Sequence, residues 1–127
     1  MNLITQTESN NQGLLKKKND TIQERLLFLK TNRMIKKFLL SDIDFFEAES
    51  NSTRCFIKEE SFLLRIQLKD IENMLPKGEF VRIHKSYIIP IRKIDRIVKH
   101  IVYINEVPLP IGVHYRKVFY TMLPSYF

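Results

Sequence analysis

Short apolar runs, each cut off by a polar turn cluster, recur through this chain and decide what it can fold into. Residues 25–31 form the first run, Asn32-Arg33 reads as a hairpin turn, and residues 34–39 return. Residues 43–48, 53–58 and 62–67 follow, with polar breaks at 49–52 and 59–61. Runs of this length, rich in Phe, Ile and Leu and bounded by Asn, Ser, Asp or Glu, predict strands joined by local hairpins. The period changes once in the middle of the chain. Leu68, Ile71, Met74 and Leu75 recur at helical spacing, and Pro76-Lys77-Gly78 ends that short helix. Residues 91–94 read as a connection of one helical turn, and residues 94–98 and 99–104 as further strand material. Asn105-Glu106 turns the chain into residues 107–111, whose two prolines suit a sheet edge. A terminal helix is expected over residues 114–123. The fold class predicted is mostly β, with one short internal helix and one at the C-terminus.

One stretch stands out for chemistry. Phe80-Val-Arg-Ile-His-Lys-Ser-Tyr-Ile-Ile-Pro90 runs as a strand into four consecutive hydrogen-bonding side chains and out again. Phe80, Arg82 and His84 share one face of the extended chain, and Val81 and Ile83 the other. A polar corner between two apolar runs suits recognition from a rigid loop. It equally suits a turn whose His and Ser satisfy nearby backbone groups. The single cysteine, Cys55, alternates with Ile57 and reads as a small buried hydrophobe.

Charge narrows the partner. Lys plus Arg number 21 against 14 Asp plus Glu, a net +7. Residues 1–24 contribute nothing to it, because Lys16, Lys17 and Lys18 cancel Glu8, Asp20 and Glu24. Those residues, dominated by Asn, Gln, Thr and Ser, read as a flexible tail, and residues 25–127 as one basic domain. A basic folded domain suits a polyanion. The N-terminus lacks the layout of a signal peptide and no apolar run is long enough to span a bilayer, so a cytoplasmic protein is expected. Three histidines and one cysteine show none of the close spacings of a zinc site. With three glycines in all, no phosphate-cradling loop is expected either. Ser86 near His84 lacks an acidic partner or oxyanion signature, so no enzyme is expected and neither metal nor cofactor is assigned. No helix-turn-helix is visible, so loops or strands must carry any DNA readout.

The ordered pieces resemble the LytTR DNA-binding domain of bacterial response regulators. Ser41-Asp-Ile-Asp-Phe-Phe-Glu47 is similar to the family's D-I-x-aromatic-x-E strand. Phe62-Leu-Leu-Arg-Ile-Gln-Leu-Lys-Asp-Ile71 resembles the strand that leads into its L-K-E-L helix. Leu75-Pro76 and then Phe80 to Ile89 resemble its F-x-R-x-H-[RK]-S-[YF] run, and Leu109-Pro-Ile-Gly-Val-His-Tyr-Arg-Lys117 its closing segment. The likeness covers roughly residues 25–123 and its motifs occur in the family's order.

The resemblance implies an elongated arrangement of antiparallel sheets, binding to double-stranded DNA through loops in the major groove, and a role in transcription control. It implies paired direct repeats as target and two molecules side by side; a separate signalling protein is a further candidate partner. Position by position, it assigns base contacts to Thr53, Lys85 and His114. Phosphate contacts fall to Ser50, Asn51, Arg54, Lys69, Ser86, Arg116 and Lys117. These residue types fit: Lys85 can donate to guanine O6 and N7, Thr53 can meet an acceptor or a thymine methyl, and the basic residues give sequence-blind attraction. His84 reads as structural, beneath the loop. Two positions depart from the family pattern: Pro90 stands where Asn is usual, and His114 where Arg is. No phospho-acceptor receiver domain is present in these 127 residues, so a stand-alone regulator is expected. A basic β module for RNA or a protein partner remains the competing expectation; exposed aromatics on a strand face would favour RNA.

Overall fold

The computed structural model describes residues 25–124. The expected tail, residues 1–24, lies outside them. Among the described residues, ten strands and two α-helices follow one another. Strands β1 (Leu26–Lys30) and β2 (Ile35–Leu39) form an antiparallel pair closed at residues 31–34. The central sheet holds β3 (Phe45–Glu49), β4 (Ser52–Ile57), β5 (Glu60–Leu64), β6 (Phe80–His84) and β7 (Tyr87–Pro90), in the order β5-β4-β3-β7-β6. Helix α1 (Leu68–Met74) connects β5 to β6. A third sheet, β8 (Arg96–Val98), β9 (Ile101–Ile104) and β10 (Val107–Pro110), precedes α2 (Arg116–Thr121). Every strand pairing is antiparallel, so the mostly β expectation holds.

Alternation along the central strands supplies two apolar faces. Phe46, Cys55, Leu64 and Ile88 point to one side and pack with Leu29, Phe38, Leu68 and Ile71, beneath the β1–β2 pair and α1. Phe45, Val81, Ile83 and Ile89 point to the other and pack with Val102, Ile104, Leu109 and Phe119, beneath the third sheet and α2. The central sheet is thus buried on both faces, which explains why its strands read as apolar runs rather than clean alternation.

Three differences from the sequence reading have physical causes. Strand β3 starts at Phe45, not Ile43, because Asp44 is turned inward. Its carboxylate accepts the Lys58 N–H at 2.6 Å and the Lys93 ammonium at 2.9 Å. Residues 94–104 divide into β8 and β9 at Lys99-His100, a hairpin turn with φ of 51° and 63°. Such turns usually announce themselves by Asn or Gly, and here neither is present. The expected terminal helix is shorter: Val113–Tyr115 is a 3-10 turn and only Arg116–Thr121 is α-helical. Among the described residues no helix is long and apolar enough to cross a membrane.

Candidate nucleic-acid interface

Register brings the assigned segments to one end of the central sheet. Glu49 pairs with Ser52, so β3 and β4 are joined there by Ser50 and Asn51, Ser50 with φ of 56°. Glu47 pairs with Tyr87, and the Ala48 N–H donates to the Ser86 carbonyl at 2.8 Å, so the β6–β7 turn stands beside the β3–β4 turn. Leu64 pairs with Thr53, so β5 leaves the sheet at this end and Lys69, in the first turn of α1, follows within five residues. The Gly112 N–H donates to the Ile83 carbonyl at 2.7 Å, which lays the segment before α2 along β6. Gly112 has to approach closely: a Cβ there would stand 3.2 Å from the Tyr115 ring and 3.5 Å from that of His84.

The β6–β7 turn is the most tightly held of these segments. The Ser86 N–H donates to His84 Nδ1 at 3.0 Å. Arg82 donates Nε–H to the His84 carbonyl at 3.0 Å and an Nη2–H to the Lys85 carbonyl at 2.5 Å. Its Nη1 meets Glu72 at 3.0 Å. A guanidinium forked between two turn carbonyls and anchored to α1 fixes the turn's plane. The Tyr87 ring packs on Phe45 with centroids 6.3 Å apart, and its hydroxyl faces Glu47; burial first, then the Glu47 charge, pushes that hydroxyl's pKa up. The Lys85 side chain is left exposed at the apex.

The other assigned residues differ in what they can offer. Ser50, Asn51, Lys69, His114 and Lys117 are exposed. Ser86 is half-buried, with its backbone N–H and carbonyl both engaged. Arg116 is half-buried and donates Nε–H to the Ile111 carbonyl at 3.1 Å. Arg54 is committed to Glu49 through two hydrogen bonds of 2.7 and 3.2 Å, with a third to Ser61 Oγ. This bonding holds the Glu49 carboxyl below the usual carboxylate range and raises the Arg54 guanidinium, so the pair brings no net charge to the surface.

Thr53 requires a correction. Its side chain is 0% exposed and its hydroxyl donates to the Ile66 carbonyl at 2.8 Å. It faces the same core as Cys55 and ties β4 to the entry of α1, so it cannot touch a base. Asn51, two residues earlier, is exposed at that turn together with Ser50. The alternation that placed Cys55 inside carried this signal, since Thr53 lies two residues from it.

Sequence reasoning missed Arg82, whose role depends on a turn folding back over its side chain. It also missed the cations around the β1–β2 turn. The Arg65 N–H donates to the Lys30 carbonyl at 2.9 Å, and Arg65 Nη2 donates to Asn32 Oδ1 at 2.7 Å. No group of metal-ligating side chains occurs among the described residues.

Comparison with known proteins gives this end of the sheet a context. No curated protein sequence matches the chain. A LytTr DNA-binding domain of a response regulator from Bacillus cereus superposes with a TM-score of 0.68, at 24% sequence identity, covering 78% of this chain and 96% of that one. The likeness is one of fold. The family model of the LytTr DNA-binding domain matches residues 32–124, which take in every strand from β2 onward and both helices and leave β1 outside. The chain belongs to the LytTR family of DNA-binding domains, which is not an enzyme family, and its place is in transcription regulation.

Proposed function

We propose that this domain reads duplex DNA by sequence, with the β6–β7 turn and the segment before α2 entering the major groove. Lys85 and His114 are the base-reading side chains. Asn51 joins them from the β3–β4 turn in place of Thr53. Ser50, Lys69, Ser86, Arg116 and Lys117 meet phosphates and hold the register, contacts that position without specifying. Arg54 contributes by bracing the β3–β4 turn against Glu49. Each copy takes one repeat of a paired direct-repeat site, with a separate signalling protein as the input.

One observation carries this reading: a single exposed lysine stands on a turn whose carbonyls are clamped by Arg82 and whose amide is capped by His84. A loop held this way presents its donor with little ordering left to lose on binding. The aromatics that the central sheet would offer to RNA for stacking are packed, although Phe28 on β1 is exposed. Phe45 is buried and stacks on Phe56 at 4.4 Å, and Phe62 packs edge-on to Phe38 at 5.6 Å.

The test is selection of bound duplexes from a random pool, followed by binding of the winner by Lys85→Ala and His114→Ala. Removing one good base contact should cost about 1–3 kcal/mol of discrimination at one position of the site. An unenriched pool, or variants with the parent's preference, would overturn the reading.

A further inference from the structure

The β1–β2 pair has no role in the interface so far, yet its orientation is fixed at both ends. At one end the Leu40 N–H donates to the Arg25 carbonyl at 3.0 Å, and Arg25 pairs with Glu79, the residue just before β6. Phe80 opposite Pro90 marks the end of the central sheet away from Lys85. At the other end the Arg65 N–H donates to the Lys30 carbonyl. The strands β1 and β2 therefore run along the sheet, and their turn, residues 31–34, reaches the same end as the β3–β4 and β6–β7 turns.

That turn carries charge in an ordered form. The Thr31 N–H and hydroxyl both donate to the Met34 carbonyl, at 2.9 and 3.4 Å, closing it tightly. Arg33 projects from its apex and is exposed. Asn32 accepts from the exposed Arg65 guanidinium at 2.7 Å, which orients Arg65 without neutralising it. Two cations thus stand together, one on the turn and one at the exit of β5.

Their lateral position matters. In the order β5-β4-β3-β7-β6, β5 lies three strands from β7. At about 4.8 Å per strand this is on the order of 14 Å. The major groove is about 12 Å wide. With the Lys85 turn in the groove, a cation displaced by that amount falls on the phosphates that flank it.

We infer that the β1–β2 turn, with the exit of β5 beside it, is a further DNA-contacting element, in which Arg33 and Arg65 grip the phosphate backbone beside the groove that the other segments read. The inference rests on the function proposed above. These contacts carry no sequence information; they add affinity, salt dependence and a longer footprint.

Arg33→Ala, Arg65→Ala and the double variant would be compared with the parent on the selected duplex and on a random one, at several salt concentrations. Each phosphate contact contributes about −0.9 to the slope of log affinity against log salt. The double variant should lose about 1.8 of slope magnitude, equivalent to roughly 12-fold less weakening over a fourfold rise in salt. Base preference should stay the parent's, and hydroxyl-radical protection should disappear at one flank of the site. A parent-like slope and footprint in the double variant would place the turn off the DNA, while Lys85→Ala still altered preference. Failure of the parent itself to enrich any duplex would instead remove the proposed function, and this inference with it.

Discussion

The imidazole of His84 accepts the backbone N–H of Ser86 at 3.0 Å, so the histidine closes the turn that presents Lys85. Because Nδ1 is the acceptor, the ring proton sits on Nε2 in this arrangement. The bond reaches two residues ahead, the pattern an Asn or Asp side chain makes when it mimics a backbone turn.

Replacing His84 follows directly. His84→Ala leaves the Ser86 N–H without its acceptor and should lower stability by about 1–3 kcal/mol. DNA affinity should fall with it. His84→Asn should recover most of both, because its Oδ1 can accept the same N–H. Thermal unfolding and duplex binding of the two variants check this; equal loss in both would deny the histidine its turn-closing role.

Arg82 should be intolerant of lysine. Arg82→Lys keeps the charge facing Glu72 but loses the planar fork that spans the His84 and Lys85 carbonyls. A loss of about 1–3 kcal/mol is expected, hydrogen bonds to a charged group lying at the upper end of the usual range. Discrimination between the selected and a random duplex should narrow at the position Lys85 reads. Unfolding curves combined with binding to both duplexes give the two readouts.

Thr53 gives the opposite signature. Thr53→Val keeps the shape but strands the Ile66 carbonyl, so stability should drop by about 1–2 kcal/mol with base preference unchanged. A changed preference at one base position, with stability intact, would restore Thr53 to the interface.

Glu49→Gln releases Arg54 from its ion pair. Attraction to any duplex should increase, with a salt slope steeper by up to about 0.9. The pH dependence has a definite sign. Arg54 holds the Glu49 pKa below its ordinary 4.5, so the stabilisation from this pair is present above that pH and lost as pH falls through the lowered value. Acid titrations of parent and variant, read by circular dichroism, should converge below that range.

Cys55 should behave as a silent thiol. Burial, with a smaller push from the Asp44 charge, raises its pKa from 9.0 to about 12. Alkylation at pH 8 should therefore wait for unfolding and accelerate sharply in denaturant. The neutral thiol is favoured in the folded state, so its contribution is full below the ordinary value and is lost as pH rises from 9.0 towards about 12. Alkaline unfolding of Cys55→Ala should show a correspondingly shallower slope, by up to about 1.4 kcal/mol per pH unit.

Much of this was legible in the residues. The Asn32-Arg33 turn, the Leu68 to Leu75 helix and the proline-bearing last strand follow from spacing and turn chemistry alone. The β8–β9 turn was not legible, because Lys99 and His100 take left-handed backbone angles without the residues that usually do so. The shortening of the last helix hid behind a regular apolar spacing that a 3-10 turn also satisfies. At the interface, position along the motif located the right turns but not the right side chains. Thr53 shares a turn region with Asn51, and only the two-residue period of β4 separates the buried one from the exposed one. Arg33 and Arg65 stand far apart along the chain and carried no joint signal, since the contact of Arg65 with Asn32 depends on how a separate hairpin is laid on the sheet.

The edge strand β10 closes one margin of the third sheet to strand addition. Pro108 and Pro110 pair opposite Tyr103 and Ile101, and neither has an N–H to offer on the outer side. A neighbouring chain cannot extend the ladder there by donor–acceptor stitching. Any contact that another chain makes along this margin is left to side chains. The same two rings keep this margin closed to the open-ended strand stacking by which crowded β-proteins turn into fibrils.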